Sequence, residues 1–109
     1  MARLLEEVDR ACGEQVGKGA KLRAGARAVL ALLAADPPTA RLLTVEVLAL
    51  GPAGAERNDE AIAAFAERSG AAWPAVAGAA MLIGKRVMAG EAARLPEFED
   101  ELLELLSQA

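Results

Sequence analysis

Leu22 to Glu46 reads LRAGARAVLALLAADPPTARLLTVE, and its two halves decide the fold. In the first half Leu22, Ala26, Val29, Leu30 and Leu33 recur every three or four residues, with Lys21, Arg23 and Arg27 opposite them. That pattern predicts an amphipathic helix from about Ala20 to Ala35. Asp36-Pro37-Pro38 ends it and begins another, because an aspartate side chain caps free backbone N–H groups and proline is tolerated in the first turn of a helix. Beyond this corner Leu42, Leu43, Val45, Val47, Leu48 and Leu50 leave little polar surface except at Arg41, Thr44 and Glu46. The expectation is a helix buried on several sides and stopped by Gly51-Pro52.

Outward from this pair the helical spacing continues in both directions. Leu4, Leu5, Val8, Ala11 and Cys12 form one stripe against Glu6, Glu7, Asp9 and Arg10, and Gly13, Gly17 and Gly19 then mark a loop. From about Ala53 a more polar helix turns Glu56, Arg57, Asp59 and Glu60 outward and Ile62, Phe65 and Ala66 inward, closing at Ser69-Gly70. Between about Trp73 and Ala89 the stripe is Val76, Ala80, Ile83, Gly84 and Val87, small in its middle, with Gly90 as the stop. After Leu95-Pro96 a last helix opens with Glu97, Glu99, Asp100 and Glu101, where the helix dipole favours negative charge, and its apolar face is Phe98, Leu102, Leu105 and Leu106. The segments are not repeats of one another and no low-complexity linker divides them. The expected architecture is all-α, about six helices in a single bundle over residues 1–109.

Composition agrees. The chain is 54% hydrophobic, but much of that is alanine, and aromatics are 3%, which favours helices over strands and leaves Leu, Val, Ile and Ala to build the core. The formal net charge is −4, and the 12 basic residues are scattered, so there is no footprint for nucleic acid in this chain alone. With no histidine and one cysteine, histidine general-base chemistry, intramolecular disulfides and the common zinc ligand sets are excluded, and a reducing cytoplasmic setting fits best. The start turns acidic at Glu6-Glu7, too soon for a secretory signal. The uncharged run from Gly70 to Gly84 contains Pro74 and is shorter than the roughly 20 apolar residues of a membrane span.

Two stretches resemble the C-terminal domain of TetR-family transcriptional regulators. Leu22–Glu46 is similar to the helix pair that turns through Asp-Pro, and Gly78–Leu106, GAAMLIGKRVMAGEAARLPEFEDELLELL, is similar to the last two helices and the corner between them; together they cover about half of the chain. The resemblance implies a homodimer through the last two helices and a small-molecule pocket enclosed by the helices before them. Carried over, the dimer surface is Val76, Ala80, Ile83, Gly84, Val87, Phe98, Leu102 and Leu105, and the pocket candidates are Leu43, Glu46, Val47, Phe65 and Trp73. The family's DNA-binding three-helix unit has no counterpart, since Met1 falls where the long helix after it begins, and the connection between the Phe65 and Trp73 helices is shorter than usual. The implied function is effector sensing and dimerisation; the alternative is a stand-alone helical homodimer, an interaction module able to pair with a full-length regulator.

Several residues admit two roles. Glu46, inside an apolar segment, is either a ligand contact with a raised pKa or a partner for an arginine turned toward water. Trp73 and Phe65 are either pocket walls or core. Cys12 is either a reactive sensor thiol or buried packing, and the acidic run Glu97–Glu101 is a solvated helix start rather than a metal site. No phosphate loop, catalytic triad or carboxylate pair is recognisable, so neither an enzyme nor a cofactor is expected.

Overall fold

The computed structural model describes residues 2–107, of which all the regular structure is helical. Six α-helices follow in order: α1 (Ala2–Gly13), α2 (Lys18–Ala35), α3 (Pro37–Thr44), α4 (Pro52–Ser69), α5 (Trp73–Met88) and α6 (Glu99–Leu106). Two 3-10 segments, Glu46–Leu50 and Ala92–Phe98, lie before α4 and α6. No described helix is long and apolar enough to cross a membrane.

The central element is α2. Its buried residues Leu22, Gly25, Ala26, Leu30 and Leu33 face α1, α3, α4, α6 and the Ala92–Phe98 segment. At Gly25 the packing is tight: a Cβ there would stand 3.0 Å from Cys12 Sγ, which would have to shift by a few tenths of an ångström, and in ordinary contact, 3.4 Å, with the Phe65 ring. The shared core adds Ala40, Ile62, Val76, Ala79, Val87, Leu95, Leu102 and Leu106, one or more from every later helix. At the far end Glu99 receives Arg27 at 2.6 Å and Arg23 at 3.2 Å, which fixes the start of α6 against α2.

The Asp36 corner forms as the sequence predicts. Asp36 accepts the Thr39 backbone N–H at 3.3 Å and the Thr39 hydroxyl at 2.7 Å, and these two bonds, the hydroxyl's first, lower its pKa. At the other end of α4, Gly70 takes the left-handed conformation (φ 78°) and its N–H closes on Ala66 O. The buried Ser69 hydroxyl bonds to Phe65 O at 2.8 Å and accepts Ala71 N–H at 3.3 Å.

One element departs from expectation. The helix predicted to run to Leu50 ends at Thr44, and the chain continues as the 3-10 segment against α4. The Thr44 hydroxyl bonds back to Ala40 O at 2.7 Å, and Val45 and Val47 follow, β-branched residues that lose rotamer freedom in a helix. Burial on several sides is not realised either, since Leu42, Leu48 and Leu50 are more than half exposed. The predicted last helix is likewise preceded by a 3-10 turn through Pro96, and α6 starts at Glu99.

Candidate functional site

All six helices contribute to the wall of an apolar cavity of about 130 Å³ between them. Leu4, Leu5 and Val8 line it from α1, Leu30 and Leu33 from α2, Leu43 and Thr44 from α3, and Asn58, Ala61, Ile62 and Phe65 from α4. Val76, Ala79, Ala80 and Ile83 contribute from α5, and Leu102 and Leu106 from α6. The wall contains no charged side chain. It is about half open to solvent; its volume is far above what one water needs and similar to the roughly 150 Å³ of an apolar cavity that takes up benzene.

Of the residues assigned to a pocket from sequence, Leu43 and Phe65 line this cavity and the other three do not. Glu46 lies on the surface with its carboxylate 3.7 Å from Arg41, so it serves the surface ion pair and not ligand contact. The sequence placed it in a continuing helix, and the change to 3-10 geometry after Thr44 removes it from the inward phase. Val47 is buried, but beneath α4, where its carbonyl meets Gly54. Trp73 begins α5 and is 45% exposed, outside the cavity.

The surface assigned to a partner subunit is largely the chain's own interior. Val76, Ala80, Ile83 and Leu102 line the cavity, and Val76, Val87 and Leu102 are buried in the core. Gly84 is buried against α3, where a Cβ would stand 3.3 Å from Thr44 O, so the small middle of α5 admits the chain's own backbone. Phe98 is half-buried beneath the Arg86 guanidinium, 4.3 Å from its ring centroid, and Arg86 also reaches Glu91 and Glu101. Leu105 alone of the set is half-buried without such a partner. The large apolar side chains that α5 does expose are others: Trp73, Met81 and Met88 fall within an arc of roughly 80°, with both methionines about 70% exposed. Their spacing was visible in the sequence but is masked by the more uniformly apolar inward stripe.

Cys12 is buried and points its Sγ at Lys21 O, 3.4 Å away. Burial, with a smaller contribution from Asp9, raises its pKa above the ordinary thiol value, the opposite of what a sensor thiolate needs. Because the folded state holds the proton more tightly, the associated stability is complete below the unfolded thiol pKa and is lost as pH rises through the folded value. Native protein at neutral pH is therefore expected to react with a disulfide reagent only as fast as it unfolds. A burst of reaction in the first seconds would contradict this environment. In the acidic run, Glu97 pairs with Arg94, Glu99 with Arg23 and Arg27, and Glu101 with Arg86, so these carboxylates act in ion pairs.

No protein-family model, curated protein or solved structure matches the chain.

Proposed function

We propose that this chain is the effector-sensing and dimerising domain of a TetR-type transcriptional regulator. The cavity carries the reading: a domain of this size gains nothing in stability from an apolar hollow lined by all six of its helices, while a sensor requires one. Leu4, Leu5 and Val8 supply part of its wall from α1, the helix that follows the DNA-binding unit in such regulators. An occupant pressing on α1 couples the cavity to whatever α1 leads to, and that coupling is a difference in binding free energy between two α1 positions. A pure interaction module uses an exposed face and has no need of the cavity.

Dimerisation is assigned to the outer face of α5 around Trp73, Met81 and Met88, exposed apolar side chains suited to isologous packing against a second copy. Light scattering on the chain is expected to give twice the chain mass, and Met81→Glu, exposed and harmless to the monomer fold, to give the chain mass. Toluene at about ten times its dissociation constant is expected to raise the melting temperature by roughly 5–10 °C, an effect abolished when Ala80→Leu fills the cavity. A monomer at all concentrations removes the dimer half of the reading. An unchanged melting temperature removes the sensing half.

A further inference from the structure

The inward stripe of α4 steps through Gly54, Asn58, Ile62, Phe65 and Ser69, so Asn58 stands on the helix side turned toward the cavity, half-buried at the stripe's edge. Polar groups at such positions are ordinarily hydrogen-bonded. Ser69 is, through Phe65 O and Ala71 N–H. Thr44, the other polar residue of the cavity wall, has its hydroxyl proton committed to Ala40 O. Asn58 is half-buried and lines the cavity, and its side-chain amide, still open to solvent, makes no hydrogen bond to any described residue, so it is free to bond a ligand. Its neighbours Arg57 and Asp59 are exposed, so the α4 surface has polar positions available and the amide stands in the apolar stripe instead.

We propose that the cavity binds a small, uncharged, mainly apolar molecule carrying one hydroxyl or carbonyl group, and that the Asn58 carboxamide reads that group. The proposal rests on the sensing role of the cavity and names its ligand class. An ionised ligand is excluded because the wall offers no charge to replace its hydration. The volume restricts the apolar body to about one aromatic ring and a few further atoms. A carboxamide presents both a donor and an acceptor, so hydroxyl and carbonyl ligands are served alike. A second polar group on the ligand would find only the Thr44 hydroxyl oxygen, which accepts but has no proton to give, so a second acceptor would be left unmatched. A leucine at position 58 would continue the stripe between Gly54 and Ile62, so the native asparagine holds recognition at the expense of packing.

The experiment is calorimetric titration of the full chain with p-cresol and with toluene, which differ by one hydroxyl. It uses wild type, Asn58→Leu, and Asn58→Ala as the variant that removes the amide without filling its space. The ratio of p-cresol to toluene affinity is expected to fall about 5- to 10-fold in both variants, with toluene affinity held within about twofold in Asn58→Ala. Unliganded Asn58→Leu is expected to melt above wild type. If both probes bind and the ratio is unchanged by either substitution, the role of Asn58 is overturned while the cavity stands as a binding site. If Asn58→Leu melts well below wild type, the amide is structural and the proposal falls. If neither probe binds wild type, the sensing reading fails and takes this inference with it.

Discussion

Gly54→Ala is expected to destabilise the fold by about 3 kcal/mol, seen as a melting temperature lowered by roughly 12–24 °C for a domain near this size. A Cβ at position 54 would lie 1.8 Å from Val47 O and 3.0 Å from both Val47 C and Leu50 Cβ. The obstacle is backbone, so no rotamer change relieves it; either α4 or the Glu46–Leu50 segment must move, and Val47 is itself buried between them. Alanine gains up to about 1 kcal/mol over glycine within a helix, which opposes the clash but does not match it. Gly78→Ala is the internal control. Position 78 lies in the middle of α5 with nothing within 4 Å of its Cβ, so the propensity gain acts alone and the melting temperature is expected to rise by a few degrees. Equal effects at the two glycines would mean that the 3-10 segment does not press on α4.

The Gly54 contact also shows where reading from sequence stops. Helix identity was legible wherever an apolar stripe was bounded by a chemical stop. Asp36-Pro37-Pro38 located the α2–α3 corner, Ser69-Gly70 the end of α4, and the expected span Trp73–Ala89 is one residue longer than α5. Residues 42–50 have no such stop before Gly51, and their apolar content fits a buried helix equally with a 3-10 turn. What decides between them is tertiary: Val47 O fits over Gly54, and that contact joins positions seven apart through a loop.

The site was legible in part, and for a physical reason. Periodicity identifies an inward face but not what the face meets. The stripe Val76, Ala80, Ile83, Gly84 and Val87 was correctly an interface between helices, yet the helices are the chain's own, because in a domain this small the most apolar face of each helix is needed for the core. A partner must use what remains, and on α5 that is Trp73, Met81 and Met88. Leu43 and Phe65 line the cavity, whose wall in such a bundle is continuous with the core. Glu46 and Trp73 drew attention by chemical type, whereas Asn58 carried the more useful signal, a polar residue four positions before Ile62 on the inward face.

Two leucines of equal burial separate the core from the cavity. Leu30 and Leu95 are at most 1% exposed, and truncation of either to alanine is expected to cost about 3–4 kcal/mol through lost apolar transfer and the void left behind. Leu30 lines the cavity, while Leu95, in the 3-10 segment over α2, does not. Leu30→Ala therefore enlarges an existing space, and an apolar probe occupies the added volume and restores contacts the truncation removed. Saturating toluene is expected to recover a third or more of the stability lost in Leu30→Ala and none of that lost in Leu95→Ala beyond the wild-type gain. Each is measured by urea denaturation with and without toluene. Recovery of the same size in both variants would place toluene at a folded-state site away from Leu30. Recovery confined to Leu30→Ala locates the bound probe beside α2, where the same residue supports the helix and faces the ligand.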